Sequence, residues 1–151
     1  MFANDILPLA REFDYIIFDC APGISPVTEV AVRLSNLVLV PTVPDRLSVY
    51  GLNAFYESLW MAGPPPQSVP HVLIVRMNDR IRQHKDVLES LAEGAAEPDA
   101  GYSLMKAQIP TSAALVEALM KGGSLTLVEK YTPQVIAGIL IPLMKEVKEL
   151  L

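Results

Sequence analysis

Cysteine and histidine are scarce in this chain of 151 residues, which has one cysteine, Cys20, and two histidines, His71 and His84. A single cysteine excludes an internal disulfide, and these three residues do not have the spacing of a zinc site. Long apolar runs are also missing, since the run at 135–144 contains a glycine and a proline. It is much shorter than the roughly 20 residues that span a bilayer. We therefore expect a cytoplasmic protein with no membrane span.

Basic residues are in deficit, because 12 Lys and Arg face 17 Asp and Glu and give a formal net charge of −5. Such a chain does not attract nucleic acid through its overall field, so DNA binding would require a local basic patch. One basic cluster could supply phosphate contacts, although a solvated helix start is the favoured interpretation. Its members are Arg76, Arg80, Arg82, His84 and Lys85.

Apolar residues, in contrast, make up 51% of the chain against 19% charged residues. This composition excludes disorder for most of the chain and predicts one domain spanning residues 1–151. Apolar runs bounded by turn residues predict strands at 14–20, 37–41, 71–77 and 102–109. Helical patterns predict helices at 4–13, 26–34, 48–62, 80–93, 112–120 and 132–151. The fold class is α/β, an open and mostly parallel sheet with helices on both faces.

Serine residues stand where three of these helices are expected to begin. Ser25, Ser48 and Ser112 are each predicted to act as an N-cap, since a serine hydroxyl accepts a backbone N–H of the first helical turn. The amphipathic end of the chain, 141–151, has two Lys and two Glu and is predicted to pack in the core rather than on a membrane.

The carboxyl ends of the predicted strands are the expected site, because parallel sheets bind ligands along that edge. The segments that follow the strands there are 19–23, 41–46, 78–80 and 109–111. Asp19 is the sharpest signal, since a carboxylate after three apolar residues is costly unless it is paired or binds a cation. An apolar strand that ends in Asp is how P-loop nucleotide hydrolases hold Mg²⁺. Capping of the next turn, or an ion pair with an arginine, is the open alternative.

Residues 13–23, FDYIIFDCAPG, resemble the Walker B strand and switch II loop of the ParA/MinD family of deviant-Walker ATPases, whose pattern is D-x-x-P-G. The likeness continues through 37–52, LVLVPTVPDRLSVYGL, and through the Q-I-P-T turn at 108–111, in the order found in the family. The resemblance implies a P-loop NTPase-like fold and a chromosome- or plasmid-partitioning ATPase that uses ATP and Mg²⁺.

The resemblance also implies a role for Asp19 and the loop after it. Asp19 would be the catalytic and metal residue that holds the water shell of Mg²⁺. Ala21, Pro22 and Gly23 would form the switch loop that senses the γ-phosphate. Glycine at that position lets a backbone N–H approach a phosphate closely.

Three further residues are implied to bind the nucleotide. Asn78 would read the adenine edge, because an amide can donate and accept at once. Ile109 and Pro110 would flank the base. A helix cap at Asn78 and a plain strand end at Ile109 and Pro110 remain the alternatives.

A Gly-rich phosphate loop is absent from the sequence, and Lys121-Gly122-Gly123-Ser124 is not followed by the second Gly-Lys that such a loop needs. In the family the Walker A segment precedes the Walker B strand, so the chain resembles the C-terminal portion of a ParA-like domain. We expect weak or absent ATP binding and no hydrolysis by this chain alone. Since the family's P-loop strand lies inside the sheet, we also expect exposed strand edges and marginal solubility, or an oligomer that covers the gap.

The partners implied by the resemblance are a second copy of the chain or an N-terminal half, a ParB-like protein, and nonspecific DNA. A function of another class stays open. The chain could be a non-catalytic module of the same α/β architecture that acts by binding another protein.

Overall fold

The computed structural model describes residues 8–23, 25–61, 63, 66–113, 115–116 and 135–151. Within these ranges three strands and four α-helices form. The strands are β1 (Leu39–Thr42), β2 (His71–Met77) and β3 (Ser103–Pro110). The helices are α1 (Pro26–Leu34), α2 (Arg46–Met61), α3 (Arg82–Ala95) and α4 (Ile141–Leu150). A 3₁₀ turn (Leu9–Arg11) and a π-helical turn (Ile136–Leu140) complete the described elements.

The three strands form one open sheet in the order β1-β2-β3, with both pairs parallel. Consecutive residues Val72, Leu73 and Ile74 of the central strand are all buried. Because neighbouring side chains of a strand point to opposite faces, both faces of β2 are covered. The predicted α/β class with an open parallel sheet is confirmed, and this arrangement agrees with a P-loop NTPase-like fold.

The core lies between β2 and the helices on either side of it in sequence. Aliphatic and aromatic side chains of α2 and α3 pack against one face of the strand, and a smaller cluster joins α1 to the end of α2. The larger cluster consists of Leu52, Tyr56, Val72, Ile74, Met77, Val87 and Leu91, and the smaller one of Val32, Val38 and Leu59.

Two of the three serine caps are confirmed. Ser25 Oγ accepts the Thr28 N–H at 3.1 Å at the start of α1, and Ser112 Oγ accepts the Leu115 N–H at 3.3 Å. The rest of the predicted helix 112–120, the glycine pair at 122–123 and the start of the predicted helix 132–151 lie outside the described residues.

The predicted cap of α2 is wrong, because the helix begins at Arg46 and Ser48 already lies in its first turn. Asp45 replaces it. The Asp45 Oδ1 atom accepts the Ser48 N–H at 2.7 Å, and a carboxylate at this position also faces the positive end of the helix dipole.

The predicted strand at 14–20 is also wrong, since the described part of the chain shows no strand between residues 13 and 23. Apolar side chains of this segment face solvent, and Ile17 is 89% exposed. A strand requires a neighbour to receive its backbone hydrogen bonds, and no described strand lies alongside this segment. β1, the nearest strand in sequence, is itself at the edge of the sheet.

The edge of the sheet formed by β3 is irregular and is contacted by α4. Between Leu104 and Gln108, β3 has three residues where β2 has one, so the strand bulges. The backbone N–H groups of Lys106 and Ala107 in this bulge donate to the carboxylate of Glu146 on α4, at 2.8 and 2.7 Å. A side chain from α4 therefore satisfies two backbone donors of β3.

The helix α4 contacts β3 but buries none of its own residues, so the predicted core packing of 141–151 is wrong. Ile141 and Met144 are more than half exposed, whereas Val135 and Ile139, just before the helix, are buried. Among the described residues, no helix has the length and apolar character needed to cross a membrane.

Candidate functional site

Two cavities open where the three parallel strands end. Each is an open, shallow cleft of about 370 Å³. The first, here called the Asn78 cleft, is lined by Met77, Asn78, Asp79, Arg80, Pro110 and Thr111. The second, the Arg76 cleft, is lined by Val43, Asp45, Arg76, Ile81 and His84 together with Asn78 and Thr111. The two shared residues make the clefts adjoin.

Asn78 stands at the end of β2 and is held by its neighbours. Its backbone N–H donates to His84 Nδ1 at 3.2 Å, and its side-chain Oδ1 accepts the Arg80 N–H at 3.0 Å. The second contact is an Asx turn, which orders the connection into α3. The alternative of a helix cap at Asn78 is wrong, because the N-cap of α3 is Ile81 and no side chain caps this helix. Within the described residues the amide nitrogen of Asn78 has no protein partner, which leaves a donor for a ligand.

Pro110 meets Asn78 because β2 and β3 end side by side. Met77 and Pro110 are partners across the two strands, and Pro110 lines the Asn78 cleft. Ile109 pairs with Val75 one step back in the sheet and lines neither cleft. Of the three residues predicted to bind the base, the structure brings two together.

Thr111, the residue that follows β3, is hydrogen-bonded to the last two residues of β2. Its N–H donates to the Met77 carbonyl at 2.8 Å, and its hydroxyl donates to the Arg76 carbonyl at 3.0 Å. The sequence pattern places Thr111 in an edge segment without a role. Its position between the two clefts makes it a residue that fixes how the strand ends are arranged.

Arg76 has a left-handed backbone conformation, with φ of 57°. Such a conformation is uncommon for a residue other than glycine, and it coincides with a register shift between Val75 and Met77. The sequence pattern groups Arg76 with the basic cluster only. The signal that could have singled it out is its charge, one position before the end of an otherwise apolar strand.

The residues of the predicted basic cluster are divided between different sites on the surface. Arg76 and His84 line one cleft and Arg80 lines the other. Arg82 instead forms an exposed pair with Asp86 at 3.9 Å along α3. Contacts of this kind at a solvated helix start contribute little to stability.

Parts of the chain are similar to known proteins. A sequence model described as an AAA domain matches residues 1–62. A ParA family protein of Mycoplasma pneumoniae is 26% identical over 102 residues, and a ParA family protein of Mycoplasma genitalium is 22% identical over the same length. These matches support a ParA-like ATPase family for the chain. Each aligned region covers 67% of this ParA-like chain but only 38% of the relative, so the chain spans well under half of the curated proteins it matches.

The Walker B-like segment of the ParA-like chain lies apart from the two clefts. Asp19 and the loop Ala21, Pro22 and Gly23 are exposed, and none of them lines either cavity. Gly23 has φ of 92°, a conformation that glycine adopts at little cost. In the described part of the chain Asp19 forms no ion pair, so the alternative of a structural pair with an arginine finds no support here.

A magnesium role for Asp19 stays a prediction. Asp19 is exposed and does not end a strand, so the reason that singled it out in the sequence, a carboxylate at the end of an apolar strand, does not hold in the structure. Among the described residues no group of three or more His, Cys, Asp or Glu side chains could surround a metal ion. Mg²⁺ bound to a nucleotide keeps several waters and takes only one or two carboxylates from the protein, and Asp19 would be the residue that holds it through its water shell.

Burial shifts the pKa values of two residues on β2 and the helix packed against it. Burial, followed by the charge of Tyr102, raises the pKa of Tyr56 far above its ordinary value. Burial lowers the pKa of His71 at the opposite end of β2, although Glu146 acts against it. Neither residue lines a cleft.

Proposed function

We propose that this ParA-like chain carries the base-binding and switch parts of a partitioning ATPase. In its complete form that protein binds ATP and Mg²⁺, dimerises and segregates DNA in the cytoplasm. The observation that carries the proposal is the meeting of Asn78 and Pro110 on one cleft at the carboxyl edge of a parallel sheet. Asp19 holds the hydrated Mg²⁺, and Ala21, Pro22 and Gly23 form the loop that responds to the nucleotide.

The chemistry of the Asn78 cleft suits adenine. The free amide N–H of Asn78 can donate to a ring nitrogen, while Oδ1 keeps a second lone pair beyond the one used by Arg80. Pro110 offers an apolar surface without an N–H group, against which a flat base can lie. In this proposal Ile109 supports Pro110 from within β3 and does not touch the base.

Phosphate binding is the missing part, since the 151 residues contain no G-x-x-x-x-G-K-[ST] sequence. We therefore expect this chain to bind ATP weakly and not to hydrolyse it. Calorimetry with ATP and Mg²⁺ measures this directly. An affinity in the micromolar range would contradict the inference that the phosphate loop is essential.

The base site is tested by the substitution Asn78→Asp, which keeps an oxygen that can accept the Arg80 N–H, replaces the amide donor by a second acceptor and adds one negative charge. We expect this variant to fold normally and to bind adenosine about tenfold more weakly, as the loss of one hydrogen bond in a desolvated site predicts. Its preference should also move toward guanosine, whose ring N–H can donate to a carboxylate. Chemical-shift titration with both nucleosides measures the two affinities.

The matched control is Asn53→Asp, the same change at an exposed position of α2. It should leave both nucleoside affinities unchanged. Equal losses in the two variants, or adenosine binding that Asn78→Asp does not alter, would remove the base site from the proposal.

The partners proposed for the complete protein are those of a partitioning system. They are a second copy of the chain or a preceding half, a ParB-like protein, and DNA bound without sequence preference. Gel filtration with and without ATP and Mg²⁺ tests the first, and the proposal requires that dimer formation depend on the nucleotide in any longer form that contains a phosphate loop.

A second function is favoured by one observation, the open edge of β1. An exposed strand edge is a template on which an extended segment of another protein can add as a strand. In that case the chain is a binding module, and adenosine should have no effect on its clefts. Amide exchange of Leu39, Val40 or Thr42, the residues of β1 that carry an N–H group, should slow when the partner protein is added.

A further inference from the structure

The Arg76 cleft has no role in the proposed adenine site, yet it shares Asn78 and Thr111 with it. The sugar and phosphate of a nucleotide whose base occupies the Asn78 cleft must extend beyond that cleft along the carboxyl edge of the sheet. The neighbouring cavity of about 370 Å³ is lined by a guanidinium and an imidazole. This continuity makes the Arg76 cleft the first place to look for the charged part of a nucleotide.

Arg76 carries a charge that the described part of the chain does not neutralise. The ion pairs found there are Arg33 with Glu29 and Arg82 with Asp86, and neither includes Arg76. One carboxylate does line the cleft, that of Asp45. Its Oδ1 atom is already used by the Ser48 N–H at the start of α2, at 2.7 Å. A guanidinium that forms no ion pair with a protein carboxylate is suited to an anion from outside.

His84 adds a second donor to the cleft. Because Nδ1 accepts the Asn78 N–H, the proton of the neutral ring is assigned to Nε2. Neutral His84 therefore offers an N–H group to a ligand and no free acceptor. The donor set of Arg76 and His84 matches phosphate oxygens, which only accept.

The backbone at Arg76 is held in a conformation that costs free energy. Left-handed conformations of residues other than glycine persist where the surroundings impose them, and they cluster at binding sites. Here Thr111, the residue after β3, donates its hydroxyl to the Arg76 carbonyl and so contacts the strained residue directly. The same irregularity removes Arg76 from the alternation of β2 and places it among the residues of the cleft.

We infer that the Arg76 cleft is a phosphate subsite, in which Arg76 and His84 bind the phosphate nearest the ribose of a nucleotide whose base lies in the Asn78 cleft. This inference rests on the proposed function for the identity of the ligand. It adds a binding contact that comes from β2 itself and is independent of a Gly-rich loop. Binding of this phosphate would make a nucleotide preferable to a nucleoside for the present chain.

The test compares adenosine, AMP and inorganic phosphate in the unaltered chain and in Arg76→Asn, by chemical-shift titration. Asparagine tolerates a left-handed backbone, so this substitution removes the charge without adding strain. We expect AMP to bind about tenfold more tightly than adenosine to the unaltered chain, as one charge-assisted contact predicts. In Arg76→Asn the advantage of AMP should fall below about twofold, and in Arg76→Lys most of it should remain.

The matched control is Arg46→Asn, which removes the same charge from an exposed position that lines neither cleft. It should preserve the advantage of AMP. An unaltered chain with no such advantage, or an advantage that survives Arg76→Asn, would overturn the inference. So would a loss of equal size in Arg46→Asn, since it would show that only the overall charge matters.

Inorganic phosphate separates this inference from the proposed function. If adenosine does not bind at all, the adenine site fails, while phosphate that perturbs His84 and Thr111 only when Arg76 is present still supports the subsite. Phosphate that perturbs neither residue overturns it. A short DNA duplex supplies the other source of phosphate. A duplex affinity that falls in Arg76→Asn, with no change in the advantage of AMP, would assign Arg76 to DNA and overturn the nucleotide subsite.

Discussion

At the residue scale, Gly94 shows how one side chain determines whether a glycine can be replaced. A Cβ atom added there would lie 2.6 Å from the Tyr102 hydroxyl oxygen. That hydroxyl donates to the Leu91 carbonyl at 3.0 Å, and the ring stacks on Tyr56 with centroids 5.4 Å apart. The tyrosine is thus held on both sides and cannot easily move away.

We expect Gly94→Ala to lower the free energy of unfolding by about 1–3 kcal/mol through overpacking. The control is Gly51→Ala in α2, where the added atom meets nothing within 4 Å and should raise stability by about 0.5–1 kcal/mol. Urea denaturation measures both. In a Tyr102→Phe background the nearest contact becomes 3.6 Å, so the penalty of Gly94→Ala should disappear. A penalty that persists there would refute the proposed clash.

Tyr56 provides a second prediction at this scale. Its side chain is buried, and its hydroxyl has no hydrogen-bond partner among the described residues. Burial and then the charge of Tyr102 raise its pKa above the ordinary 10.0. The folded state therefore keeps a proton that the unfolded state releases, and stability must fall as the pH rises above about 10.

Tyr56→Phe removes both the buried hydroxyl without a hydrogen-bond partner and the titrating group with the raised pKa. We expect a change within about 1 kcal/mol at neutral pH, with a gain favoured because an unsatisfied buried hydroxyl is removed. The alkaline loss of stability should become smaller in this variant. Urea denaturation between about pH 8 and pH 11 measures the difference, and parallel curves for the two proteins would contradict it.

At the scale of elements, α4 is attached to the sheet chiefly through Glu146. Its carboxylate accepts the N–H groups of Lys106 and Ala107 in the bulge of β3. We expect Glu146→Ala to destabilise the chain by about 1–2 kcal/mol, because two backbone donors lose a charged acceptor. The control is Glu149→Ala on the same helix, an exposed position where a change within about 0.5 kcal/mol is expected.

Amide exchange at Lys106 and Ala107 gives the more specific measurement for this attachment. Both amides should exchange faster in Glu146→Ala and at the original rate in Glu149→Ala. Unchanged protection would mean that other contacts of β3 hold these donors.

The elements also show what the sequence could and could not predict. β2 is predicted with its observed ends, 71–77, because it has a strand on each side and buried residues on both faces, so that its apolar run reflects its surroundings. The run at 14–20 has a similar apolar composition, but it does not pair with any strand of the described sheet and does not become a strand. The local sequence pattern shows only that a segment tends to form a strand, whereas strand formation also requires a partner strand from elsewhere in the chain.

The candidate site, like the fold, could be predicted only in part from the sequence. Asn78 and Pro110 follow parallel strands, so their meeting could be expected from topology. The roles of Arg76, Thr111 and Glu146 could not, since a left-handed residue, a cross-strand hydroxyl contact and a carboxylate from 40 residues away depend on register. Register is set by packing, and no short sequence pattern encodes it.

At the scale of the whole molecule, the exposed apolar segment near Asp19 should govern solubility. Ile17 is 89% exposed and lies in a stretch without a strand partner in the described chain. Apolar unpaired segments promote association, and a single lysine can prevent it. We expect Ile17→Lys to weaken self-association and to raise the concentration at which the protein precipitates.

The control for this prediction is Met61→Lys, which adds the same charge at a side chain that is 88% exposed at the end of α2. Light scattering and gel filtration over a range of concentrations compare the variants. If both lysines improve solubility equally, the effect comes from net charge and the segment has no special role.

The unequal sides of the sheet have a consequence for how copies of the chain could assemble. The bulge of β3 and the two contacts of Glu146 hinder strand addition on that side of the described sheet. β1 has no strand partner on its outer side among the described residues, although Pro41 leaves it one backbone donor short. Two molecules that joined through β1 around a two-fold axis would leave only their β3 sides for further addition, so association by this route would favour a pair over a fibril.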